Sequence, residues 1–310
     1  MNELADDTPI FRIYNIFDLI NTLSTNSIRL SQVCRMEDPN ELFGIYFRIA
    51  RSMSPPFDAE HLDQSQREFR SAQSHHYMTC WTRVPQNIAV WSLYSPTRDA
   101  IQVRTTYGNL RRAMFAHFQA WPYAHAYKLQ PNDQTDLFLP PAVGPVKYID
   151  FEQAYSKIRR QLLEYNKEKE KWFLKNGGPE IEDIGEKWLQ ADGQIKASVF
   201  SEPLLSGPLL KDIRYQHEQE VRFVLQLQRR DGRTKDEYEA HPMAGLDHPA
   251  RPPKIEDCPP NVFVPFAATE LDDFQVDGRI ESYKFEAISN ALGRFGVDVK
   301  LNSAFHPFAI

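Results

Sequence analysis

The chain has 310 residues, 42% of them hydrophobic and 25% charged, with a formal net charge of -6. That composition fits a globular protein with one large domain or two ordinary ones, and the acidic balance argues against a general electrostatic grip on nucleic acid. No apolar run is long enough to span a bilayer and the N-terminus lacks the basic and apolar regions of a signal peptide, so a cytoplasmic protein with no membrane partner is expected.

In chain order, residues 10–14 alternate weakly and predict a short strand, with Arg12 and Tyr14 on one face and Phe11 and Ile13 on the other. A helix is predicted over residues 16–25 and a second strand over 27–31. Asp38, Pro39 and Glu41 read as a helix start, with Asp38 as cap and Glu41 in the first turn. Residues 51–74 read as a connection or an exposed helix, and residues 77–82 as a central strand. Trp91 and Tyr94 stand three apart, as on one helical face, and both are expected to be buried near Cys80 and Trp81. A turn follows at 95–99, a strand at 100–106 and a helix at 110–121.

Residues 146–149 predict a strand, and Asp150 a cap for a long helix over 151–174. Residues 177–208 hold glycines, prolines and acids and read as an irregular insertion. The stretch from His217 to Leu227 reads as a strand, with Glu218, Glu220 and Arg222 on one face. Charges in that pattern on a core strand are costly to bury unless they pair or bind something. Residues 229–260 look like loop. Strands at 261–266, 271–276 and 297–303 and a helix at 282–294 complete the chain.

Helices and strands mix without β-α-β alternation, which predicts a single α+β domain over residues 1–310. Its central sheet is expected to be mainly antiparallel and flanked by helices. There is no GxGxxG and no Walker A sequence, which argues against a Rossmann or P-loop site. Cys34, Cys80 and Cys258 form no zinc pattern and no disulfide framework, the nine His residues show no metal spacing, and no metal cofactor is expected.

Several stretches, in this order, carry a resemblance: residues 11–14 (Phe-Arg-Ile-Tyr), 37–41 (Glu-Asp-Pro-Asn-Glu), 80–82 (Cys-Trp-Thr), 91–96 (Trp-Ser-Leu-Tyr-Ser-Pro), 103–106 (Val-Arg-Thr-Thr), 146–148 (Val-Lys-Tyr) and 217–222 (His-Glu-Gln-Glu-Val-Arg). Together they resemble the bacterial domain-of-unknown-function family numbered 2971, over about residues 9 to 225. Met36 departs from the Trp common there, and Gly278 from a common Pro. A second resemblance is more distant. A strand with Arg, a helix, a short strand and a late strand with Glu-x-Glu is similar to the split sheet of ADP-ribosyltransferases.

That second resemblance implies roles. Arg12 would hold NAD, Thr79 or Thr82 would support its nicotinamide side, and Glu220 would stabilise the oxocarbenium-like ribose, with Glu218 orienting or deprotonating the acceptor. Tyr14, Arg104 and Arg222 join the candidate binding residues, and Trp81, Trp91 or Tyr94 could stack on a ring. The function expected is therefore an NAD-consuming transferase or glycohydrolase acting as a bacterial toxin or phage-defence effector. Such an enzyme needs Arg12 and Glu220 facing one cleft. Two other readings stand beside it. One is a non-catalytic ligand-binding or interaction module, in which Arg12, Arg104, Glu220 and Arg222 form a structural ion-pair network. The other is a metal-dependent nuclease with Asp38, Glu41, Glu218 and Glu220 as ligands. A nucleotide-type small molecule is the expected partner of the enzyme reading, with the acceptor left open.

Overall fold

Ile10, Phe11 and Tyr14 are buried, and their segment forms strand β1 (Pro9–Tyr14) in the computed structural model, which describes residues 4–36, 38, 41–52, 59–85, 91–92, 94–120, 134–176, 184–199, 207–231 and 254–302. Helix α1 (Ile16–Thr25) starts where the Asn15 side chain accepts from the Asp18 backbone N–H. It ends at Asn26, whose left-handed backbone (φ 47°) closes the helix with a bond to the Thr22 carbonyl. Strand β2 (Ser27–Gln32) follows directly.

The chain divides into two compact units. The first comprises residues 1–39, 73–146 and 216–310, and the second residues 40–72 and 147–215. A single domain was the expectation from sequence, and each unit is therefore described by itself.

The first unit is α+β. Among the described residues its sheet has ten strands, mostly antiparallel. Besides β1 and β2 these are β3 (His76–Thr82), β4 (Ile101–Thr106), β5 (Gln134–Phe138), β6 (Ala142–Pro145), β9 (Glu220–Asp231), β10 (Asn261–Pro265), β11 (Asp272–Val276) and β12 (Lys300–Leu301). Only the β11–β12 pair is parallel in this sheet. The four stretches expected to build the central sheet, around β1, β3, β4 and β9, do lie in it. One sheet face is apolar: Ile10, Tyr77, Trp81, Ile101, Val103, Val221, Phe223 and Leu225. It packs with Leu19 and Leu23 of α1, with Leu110 and Met114 of helix α4 (Tyr107–Ala120), and with Ile288 and Leu292 of helix α7 (Ser282–Gly293).

The second unit contains α2 (Phe43–Ser52), most of α3 (Ala59–His75), α5 (Phe151–Asn176), α6 (Ile184–Val199) and a parallel pair, β7 (Lys147–Ile149) with β8 (Leu210–Asp212). Phe43, Tyr46, Phe69 and Phe151 form its aromatic centre, with ring centroids 4.9 to 5.8 Å apart. Asp150 caps α5 as expected, accepting from the Gln153 backbone N–H at 2.9 Å. The Tyr165 hydroxyl donates to Asp192, which ties α5 to α6.

Three local expectations need correction. Residues 177–208 are not irregular throughout, because α6 occupies 184–199. Gly193 and a polar surface hide that helix from a reading that looks for breakers. Glu41 does not sit in the first turn of a helix; α2 starts at Phe43, and the Glu41 carboxylate is buried 3.4 Å from Lys211 Nζ. Pro39, the other half of that motif, lies outside the described residues. The strand expected from residue 217 starts only at Glu220.

Candidate functional site

The site begins with a fork in the sheet. β9 pairs with the whole length of β3, from His76 with Gln226 to Thr82 with Glu220. β3 then has one edge left, and two strands share it. β2 takes Tyr77 and Met78, while β1 takes Thr82. Residues 79–81 carry no strand partner on that edge among the described residues. Both strands run antiparallel to β3 and compete for the same stretch, so they splay, and α1 bridges their diverging ends.

Arg12 lies in this fork. Its Nη1 donates to the Thr79 hydroxyl, and its guanidinium carbon stands 4.6 Å from the centroid of the Tyr14 ring. Tyr14 in turn meets Trp81 edge to face at 6.3 Å. Trp81, Tyr14, Arg12 and Thr79 thus form a continuous chain of contacts across two strands. Arg12 is half-buried and has no ion-pair partner among the described residues. Asp18, whose charge acts on the Tyr14 hydroxyl, is bound to Arg29 at 2.7 Å. Burial raises the Tyr14 phenol above its ordinary value, against the opposing pull of the Arg12 charge, so the phenol is protonated at neutral pH.

The carboxylates expected to share this site lie elsewhere. Residues directly opposite in a ladder point to the same face, and neighbours along a strand point to opposite faces. Phe11 pairs with Thr82 and Thr82 with Glu220, so these three share a face. Arg12, the neighbour of Phe11, points to the other. Glu220 and Arg12 therefore do not face one cleft. Glu220 is bound instead by Arg222, with Nε 2.8 Å from Oε1 and Nη2 3.3 Å from Oε2. Both side chains are buried, and Arg222 shares its face with Cys80.

Glu218 is not on the strand at all. It ends the 3-10 segment Ile213–Glu218, and Gln219 with φ 43° turns the chain before β9 begins. The Glu218 carbonyl accepts from the Thr82 hydroxyl at 2.6 Å. Thr82 is thereby part of the structural joint on the Glu220 face, whereas Thr79 belongs to Arg12. Arg104 is opposite Phe11, again away from Arg12, and makes a two-pronged exposed pair with Asp272 at 2.7 and 2.9 Å. Trp91 is wholly buried, but Tyr94 is 53% exposed, against the expectation that both pack inward. The helical turn is short: the Ser95 backbone N–H closes on the Trp91 carbonyl at 2.8 Å and the chain leaves at Pro96.

Of the predicted set, then, the fork gathers Arg12, Tyr14 and Thr79, joined by Trp81. The two carboxylates, Arg104 and Arg222 are not part of that cluster. Parity along Tyr77, Thr79 and Trp81 was readable, but the register that sets Thr79 beside Arg12 was not. Among the described residues no group of three or more His, Cys, Asp or Glu side chains is placed to hold a metal ion. No helix of the described residues is long and apolar enough to cross a membrane. Neither protein-family models, nor curated proteins, nor solved structures contain a match to this chain.

Proposed function

We propose that the chain is a ligand-binding module that holds the anionic part of a nucleotide-type small molecule at the fork of its sheet, and that the Glu220–Arg222 pair is structural. One observation carries this reading. Arg12 is a half-buried guanidinium fixed by Thr79 and the Tyr14 ring, with no ion-pair partner among the described residues. A charge taken from water without compensation is costly, and a bound oxyanion supplies the compensation. Thr79 and Tyr14 use one edge and one face of the guanidinium, so N–H donors remain for a ligand.

A second reading is the NAD-consuming transferase or glycohydrolase, as a toxin or phage-defence effector. The fork itself favours it, with Arg12 on the first strand, Thr79 on a middle one and Glu220 on a late one. Against it stands the placement of Arg12 and Glu220 on opposite faces. A single experiment separates the two. NAD, ADP and pyrophosphate are titrated calorimetrically into the wild-type protein and the Arg12→Gln variant, and the NAD samples are assayed for free nicotinamide. The module reading expects binding that weakens about tenfold or more in the variant, without nicotinamide release. No binding of any of the three sinks it. Nicotinamide release by the wild-type protein that vanishes in a Glu220→Gln variant shown by circular dichroism to remain folded puts the enzyme first.

A further inference from the structure

Trp81 is 2% exposed, and its indole N–H is buried with no hydrogen-bond partner among the described residues. An indole N–H can only donate. Left unmade in the interior, such a bond costs about 1–3 kcal/mol. Packing accounts for the bulk of the ring and leaves the buried donor of the indole unused. The residue also stands in a particular place. It is in β3 at the stretch that neither β1 nor β2 pairs, and its ring meets Tyr14, which carries Arg12.

The side chains around it are rich in donors. Arg12 offers N–H groups only. The Thr79 hydroxyl already accepts from Arg12 and has its own proton to give. The phenol of Tyr14 is protonated. No carboxylate joins these residues by an ion pair among the described residues. A site rich in N–H and O–H donors, with a cation and no carboxylate among them, suits an ionised oxyanion. We infer that Trp81 is a ligand-binding residue of the fork, its indole N–H donating to an oxygen of an oxyanion whose charge Arg12 meets. This rests on the proposed ligand-binding reading and adds a residue and a ligand chemistry to it. Phosphate and carboxylate share that chemistry.

The test uses the full chain labelled with ¹⁵N at tryptophan, which gives five indole N–H signals from its five Trp residues. The Trp81 signal is assigned by backbone correlation and checked by its absence in Trp81→Phe. Pyrophosphate and malonate are titrated separately, and calorimetry follows each. The inference expects the Trp81 indole signal to move downfield with saturation, at the affinity that calorimetry gives, while the other four stay in place. It also expects Trp81→Phe to weaken the same probe about tenfold or more. A response to pyrophosphate alone assigns a phosphate, and a response to malonate alone a carboxylate. Arg12-dependent binding with an unmoved Trp81 signal overturns the inference and leaves the module reading intact. Failure of both probes to bind overturns the inference, while the module reading stands or falls with NAD, ADP and pyrophosphate together. The wild-type spectrum decides even if Trp81→Phe does not fold.

Discussion

Arg222 and Glu220, two residues apart on β9, close on each other through two hydrogen bonds of 2.8 and 3.3 Å while both side chains are shut off from water. A pair of this kind gains little over apolar residues of the same volume, but it is costly to break from one side. Glu220→Gln is therefore expected to destabilise the fold by about 3–5 kcal/mol, since it takes a charged partner from a buried guanidinium. The double change Glu220→Leu with Arg222→Met should recover most of that loss. Urea denaturation of the three variants measures both. A Glu220→Gln protein as stable as wild type would show that the pair is not structural, and would return Glu220 to the list of catalytic candidates.

Trp91 and Tyr94 separate in the same kind of measurement. Trp91 is wholly buried and Tyr94 is 53% exposed. Trp91→Ala should cost about 3–5 kcal/mol through the cavity it opens. Tyr94→Ala should stay within about 0.5 kcal/mol of wild type, as exposed substitutions usually do. Equal losses from the two would contradict their placement.

What the sequence made legible, and what it did not, follows from which forces are local. β1, β3 and β10 show in the alternation of residues such as Ile10, Arg12 and Tyr14, because a half-buried strand needs only its own side chains to announce itself. α1 shows because its apolar stripe lies within the helix. The fork does not show. It depends on β2 and β1 competing for one edge of β3, which is a matter of register between distant segments. The same gap let the sequence reading aim Arg12 and Glu220 at one cleft, since parity within each strand says nothing about parity between them. Glu218 was lost to a single residue, because Gln219 adopts a left-handed backbone without the glycine that usually signals one.

Two glycines of the second unit should respond in opposite directions. Gly193 lies inside α6, and a Cβ added there meets nothing within 4 Å. Gly193→Ala should stabilise the chain by about 0.5–1 kcal/mol, by removing backbone freedom from the unfolded state and adding helix propensity. Gly44 lies in α2, where an added Cβ would stand 2.3 Å from the Gly207 carbonyl oxygen and 2.8 Å from Leu210 Cβ. Neither obstacle is the end of a flexible side chain, and the Gly207 N–H is bonded to the Gly44 carbonyl at 3.1 Å. Gly44→Ala should therefore cost about 1–3 kcal/mol. Denaturation midpoints that moved the same way for both would refute this account.

Acid should loosen the first unit through Asp277, directly after β11. Burial pushes its carboxyl up, but the Arg279 side chain and backbone N–H more than offset that and hold it below the usual aspartate range, with Arg98 adding its charge. Arg279 Nε is 2.9 Å from Oδ1, and Nη2 is 2.6 Å from Oδ2. A carboxyl whose folded value lies below its unfolded one contributes stability that is fully present above the unfolded value, about 3.9. That contribution is lost as pH falls through the folded value. Between neutral pH and pH ~5 the pair should hold constant, and below that range wild-type stability should drop with a slope to which Asp277 contributes. Asp277→Asn should be less stable than wild type at pH ~7 and should fall less steeply below pH ~4, because the protonated carboxyl and the amide both lack the charge. Urea titrations of both proteins across that range give the two slopes. If they run parallel down to the lowest pH at which the protein folds, the Asp277–Arg279 pair has no part in the acid response.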